Sequence, residues 1–228
     1  AKSLYGIPDN IHISIKGMKM VNQDKEFKYL LKKYGFDPAW LDKYPNMKIG
    51  FNPEFLSERT AHADFNNPTR IVIGADPEPR MILETLYRDR FPHVTIVQTD
   101  VETAEFIKYA CNCFFAVKIS VLNEFYQVAE KQNLDWNAIM RGMLTSGWIN
   151  PMHTMVPGTD GHLGFGGKCF PKDLNAFINF FNDAGVRPTM LQAAWEKNNE
   201  VRDTKDWEKI KGAVSLPTQN EVSKETKE

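Results

Sequence analysis

A stripe of apolar residues at spacings of three and four runs from Ala104 through Ile107, Ala110, Cys111, Phe114 and Val117 to Val121. That period belongs to one face of an α-helix. Asp100 stands just before it as an N-cap, and Glu102 and Glu105 fall in the early turns, where carboxylates offset the positive end of the helix dipole. The pattern predicts one helix from 100 to about 132, long enough that a domain must be built along it. Further helices are expected at 134–143, opened by Asn133-Leu134-Asp135, and at 171–184 and 188–201, packed by Phe177, Phe180, Phe181, Leu191 and Trp195.

Upstream the rhythm changes. Residues 10–15 and 46–51 alternate apolar and polar, as strands do, with helical segments expected at 25–34 and 38–44. Arg70-Ile71-Val72-Ile73-Gly74 reads as a strand apolar through its centre, followed by a helix at 77–88 and a strand at 94–97. This strand–helix–strand order is half of a doubly wound domain. The expected fold class is therefore α/β: an incomplete doubly wound (Rossmann-like) half over 1–99, then an all-helical central domain on one long helix over 100–214. Residues 215–228, rich in Lys, Glu, Thr and Ser, read as a solvated tail.

Charge and cysteine content narrow the function classes. Lys and Arg number 28 against 29 Asp and Glu, so nothing favours a nucleic-acid partner or an acidic membrane. No apolar run approaches the roughly 18–20 residues a membrane span needs. The cysteines are Cys111, Cys113 and Cys169, a sparse, odd set that fits a reducing compartment and lacks zinc spacing, so no metal is expected. With no apolar leader at Ala1-Lys2-Ser3-Leu4, a cytoplasmic location is expected.

The chemistry concentrates in Gly164-Phe165-Gly166-Gly167-Lys168-Cys169-Phe170-Pro171-Lys172-Asp173. Three glycines in four residues make a tight corner, and Pro171 suits the first turn of a helix. Cys169 is thus expected at a helix N-terminus, where backbone N–H groups stabilise a thiolate. A buried structural cysteine is the alternative; the polar, charged surroundings favour the reactive reading. Lys108 and Asn112, four apart, point from one face of the long helix and can donate to an oxyanion. Taken alone, they read better as a snorkelling lysine and a surface amide. Glu54, in Asn52-Pro53-Glu54-Phe55-Leu56, is a loop carboxylate suited to general-base work or to plain capping.

Together the decapeptide, Asn52-Pro53-Glu54-Phe55-Leu56 and Lys108-Tyr109-Ala110-Cys111-Asn112 resemble the nucleotide-sugar 6-dehydrogenases, the UDP-glucose and GDP-mannose dehydrogenases. The resemblance implies NAD as cofactor and two successive oxidations at the sugar C6, with a lean toward UDP-glucose. It implies Cys169 as nucleophile, Lys108 and Asn112 as oxyanion donors, and Asp173 and Glu54 handling water and protons. It further implies Phe55, Leu56, Phe165 and Gly166 at the substrate, Glu58 and Lys172 at the cofactor, and a homodimer through the long helix. Departures are Arg59 where relatives carry glycine, Ile149-Asn150-Pro151 where they carry a substrate-binding arginine, and the want of a Ser-Thr-Val-Pro segment. No Gly-x-Gly-x-x-Gly follows a strand. Much of the dinucleotide-binding domain is therefore expected to lie outside this chain. The alternative is a catalytically inactive, dimerising remnant that binds no cofactor alone. His153 and His162 are weaker candidates for a phosphate contact.

Overall fold

The computed structural model describes residues 11–14, 48–57, 59–210 and 213. The expected helices at 25–34 and 38–44, Glu58 and the tail lie outside them. Contacts divide the chain into two compact units, 1–108 and 109–228. The first holds a four-stranded sheet in the order β1 (Ile11–Ser14), β2 (Lys48–Phe51), β3 (Arg70–Ala75), β4 (Thr95–Thr99). β1 pairs with β2 in parallel and β3 with β4 in parallel, but β2 and β3 run antiparallel, with Gly50 opposite Ala75 and Phe51 opposite Gly74. The sheet is mixed: the α/β class is as expected, while one antiparallel pair among four strands does not by itself make a doubly wound half. The link between β2 and β3 explains the reversal. A parallel return needs a crossover, usually a substantial helix. Here the link carries only α1 (Ala61–Asn66), six residues with none buried, and the chain comes back beside β2 in the opposite sense.

β3 buries every residue from Ile71 to Ala75. Its period-2 alternation sends side chains to both faces. Ile71, Ile73 and Ala75 pack with Leu83, Tyr87 and Phe91 of the α2 region (α2, Pro77–Arg90), while Val72 faces Phe51, Ala104 and Ile107. The second set includes the first turns of α3 (Val101–Lys131). Gly74 makes that approach possible: a Cβ there would collide with Ala104 Cβ and stand 2.7 Å from the Asp100 carbonyl oxygen. Asp100 caps α3 as expected, accepting the Thr103 N–H at 2.7 Å.

The second unit holds the rest of α3 with α4 (Trp136–Leu144), α5 (Cys169–Asp183), α6 (Thr189–Val201) and a 3-10 turn at Asp206–Lys209. Asp135 caps α4 by accepting the Ala138 N–H at 3.0 Å. Leu122, Ala129, Trp136, Met140 and Val156 form one core, and Trp136 Nε1 donates to the Val156 carbonyl at 3.1 Å, tying the loop at 145–168 to it. A second core gathers Tyr109, Phe177, Phe180 and Phe181. The apolar stripe predicted for α3 is only partly the buried face. Phe114 is 66% exposed and Val121 also faces outward, whereas Asn112, Ser120 and Asn123 are buried. Those polar groups tolerate burial because each has a partner: Asn112 on Asp173, Ser120 on the Ala194 carbonyl, Asn123 on its own helix and the Gly164 N–H.

Candidate active site

In the first unit, Glu54 and Lys108 meet. Asn52 fixes the loop after β2, donating to the Val72 carbonyl at 2.6 Å and accepting the Tyr87 hydroxyl at 2.5 Å. Burial raises the Tyr87 phenol above its ordinary range, which keeps that donor protonated. Glu54 then curls over the following turn, accepting the Leu56 N–H at 2.9 Å. Lys108 Nζ donates to the Glu54 carbonyl and to its carboxylate at 3.2 Å. The lysine side chain is mostly covered, while that of Glu54 stays 40% exposed. The Arg70 guanidinium lies 4.0 Å over the Phe55 ring, and Lys108 Nζ lies 5.5 Å from the same ring on this unit. Leu56 and Arg59 are exposed. Two of the three ammonium N–H groups of Lys108 are thereby spoken for, and a third can face a ligand oxygen.

In the second unit, α5 begins at Cys169, so the thiol stands at a helix N-terminus as its sequence predicts, and it is exposed. One turn on, Asp173 is 3% exposed and accepts from Asn112 Nδ2 at 2.5 Å and from Lys172 Nζ. Asp173 occupies one amide N–H of Asn112 and orients the other. Lys172 also lies 5.6 Å over the Tyr109 ring. Cys113 behaves as core: its thiol points at the Asp173 carbonyl at 3.6 Å, and burial pushes its pKa far up, Asp173 adding to the rise and Lys172 opposing it. Phe165 is buried against Phe170 and Trp195, and Gly166 follows it half-covered.

The histidines have protein partners. His162 Nδ1 lies 2.9 Å from Asp203 Oδ1. His153 is wedged between Phe115 and Phe170, with centroids at 4.7 and 5.2 Å, and burial, helped by Lys118, pushes its pKa down. Sequence reasoning missed the residues that brace the thiol loop. Asn123 accepts the Gly164 N–H at 3.0 Å, while Asn198 accepts the Phe165 N–H at 2.7 Å and donates to its carbonyl at 3.0 Å. A buried amide matched to one backbone position leaves no periodic signal, so nothing in the pattern marks them.

Residues 102–200 match the profile of the UDP-glucose/GDP-mannose dehydrogenase family, central domain. Over those residues the chain carries the pattern of that family's central domain. UDP-glucose 6-dehydrogenase YwqF of Bacillus subtilis is 37% identical over 155 residues, 68% of this chain and 34% of the relative. GDP-mannose 6-dehydrogenase of Pseudomonas aeruginosa is 34% identical over 161 residues, 69% of this chain and 36% of the relative. A UDP-glucose dehydrogenase structure from Pyrobaculum islandicum aligns with TM-score 0.59 at 34% identity, over 67% of this chain and 34% of that one. The chain thus spans about a third of the length of these dehydrogenase relatives.

The strand–helix turns of the first unit fit a dinucleotide poorly. A pyrophosphate needs backbone N–H groups at a helix N-terminus. α2 opens with Pro77 behind Asp76, and α3 opens behind the Asp100 carboxylate. Among the described residues neither turn offers a glycine cradle, and both present an acid where a phosphate would lie. No cluster of three potential metal ligands occurs among the described residues either.

Proposed function

We propose that the chain is the central part of an NAD-dependent nucleotide-sugar 6-dehydrogenase that oxidises the C6 alcohol, in the UDP-glucose case to UDP-glucuronate. The supporting observation is Cys169 at the first residue of α5, one turn from an Asp173 carboxylate that is clamped by Asn112 and Lys172. NAD would supply the oxidising power, with one molecule accepting one hydride in each of the two oxidations; the described residues offer it no pyrophosphate cradle. The protein side of the chemistry is nucleophilic. The Cys169 thiolate adds to the C6 aldehyde to give a thiohemiacetal, and the thioester formed from it is cleaved by water. Lys108 and the remaining N–H of Asn112 are the donors for the oxyanion that each addition creates. Asp173 holds Asn112 and serves with Glu54 as acceptor for the water's proton. Lys172 is assigned to the cofactor by family likeness, and its ion pair to Asp173 adds a second duty. Phe55, Leu56, Phe165 and Gly166 are assigned to substrate on the same likeness.

The deciding experiment is a screen of nucleotide sugars with the intact protein and NAD, following NADH absorbance. Turnover with UDP-glucose and its loss by at least about 10³-fold in Cys169→Ser, with substrate still bound, support the reading. Uronate formation by Cys169→Ser at the unmodified rate overturns it.

A second reading is that of an inactive, dimerising remnant. The acids at the starts of α2 and α3, Asp76 and Asp100, favour it. Calorimetry of the intact protein with NAD separates the two, since the remnant gives no heat of binding.

A further inference from the structure

The loop that delivers Cys169 is latched from behind by a segment with no part in the chemistry above. Asp206 Oδ2 accepts the Gly167 N–H at 2.8 Å, two residues before the thiol. Gly167 has φ +70°, so this contact fixes the turn from which α5 starts. Arg202 secures Asp206 in turn. Its Nη2 lies 3.4 Å from Asp206 Oδ1 and 2.8 Å from Asp160 Oδ2, Nε donates to the Thr204 carbonyl at 2.9 Å, and Nη1 donates to the Leu163 carbonyl at 3.3 Å. The Arg202 side chain is 2% exposed, against 48% for Asp160 and 42% for Asp206.

Two features set this latch apart from ordinary packing. A buried guanidinium costs desolvation that a hydrophobic residue of similar size avoids, so its ion pairs are a poor way to gain stability and a good way to fix a geometry. Gly166 is moulded to the latch: a Cβ there would collide with Arg202 Nη2 and Asp206 Oδ1. Any larger residue at 166 would push against the latch, whatever Gly166 meets on its other side.

We propose that Asp206, held by Arg202, is a positioning residue for the Cys169 thiol. The inference rests on the reading of Cys169 as nucleophile, and its test separates the two. In the intact protein, Asp206→Ala lowers kcat roughly 10- to 100-fold with KM for UDP-glucose within about twofold, the signature of a displaced reacting group. The same variant shifts the pH midpoint of Cys169 alkylation by iodoacetamide, read site by site by mass spectrometry, with buried Cys113 as internal control. Asp206→Asn keeps an oxygen for the Gly167 N–H and shows smaller changes in the same direction, so it decides the matter should Asp206→Ala not fold. A variant that melts lower yet alkylates Cys169 with the unmodified pH midpoint overturns the proposal. A shifted midpoint with unchanged kcat supports the positioning and overturns the reading of Cys169 as nucleophile.

Discussion

Glu105 shows what a single buried carboxyl does to a helix. Its place in the early turns of α3 suggests a solvated partner for the helix dipole, but it is 8% exposed and its Oε2 has no hydrogen-bond partner among the described residues. Burial, with Glu102 adding repulsion, raises its pKa from 4.5 to about 7. Folded protein therefore binds more protons than unfolded protein between those values, and stability falls as pH rises through that window. The expected loss is on the order of 3 kcal/mol between pH 4.5 and 7, taken from the shift at 1.36 kcal/mol per pH unit. Glu105→Gln flattens the dependence, which urea unfolding at pH 5 and pH 8 measures. Equal slopes in the two proteins would contradict the assignment. The residues of the candidate site were more legible than this one. Cys169 and Asp173 follow from glycine, proline and charge spacing, while Asp206, Arg202 and Asn198 act through contacts that no local pattern encodes.

At the scale of elements, the ends of helices were readable and their faces were not. Asp100 and Asp135 both cap as their types require, because a cap is satisfied within three residues. The buried face of α3 depends on partners 61, 74 and 41 residues away, at Asp173, Ala194 and Gly164, so an apolar stripe could not reveal it. Strand direction was hidden for a similar reason: β2 and β3 have ordinary strand compositions, and the shortness of α1 decides how they pair. The contact of α3 with β3 gives a direct test. Gly74→Ala places a methyl against Ala104 and the Asp100 carbonyl. Its cost is expected at about 1–3 kcal/mol by overpacking. Thermal melting reads the loss, and Gly74→Ala with Ala104→Gly recovers part of it if the collision is the cause.

For the whole molecule, the outward face of α3 matters most. Phe114, Val121, Phe125 and Val128 are exposed at spacings of seven, four and three. That is the seam expected of paired helices. A second copy of the chain is the occupant proposed for it, consistent with the dimer that family likeness implies. Light scattering of Phe114→Glu with Phe125→Glu is expected to report a lower mass than the unmodified protein; an unchanged mass excludes this face. Asn112 and Asn123 lie about three turns apart on the same helix, roughly 16 Å along its axis. One tethers α5 through Asp173 and the other tethers the loop through Gly164. The helix therefore works as a ruler with two graduations, and deleting one residue between them would swing the second mark about 100° round the rod. Tolerance to insertion and deletion is thus expected to vanish across 113–122, however well the chain still folds as a helix there.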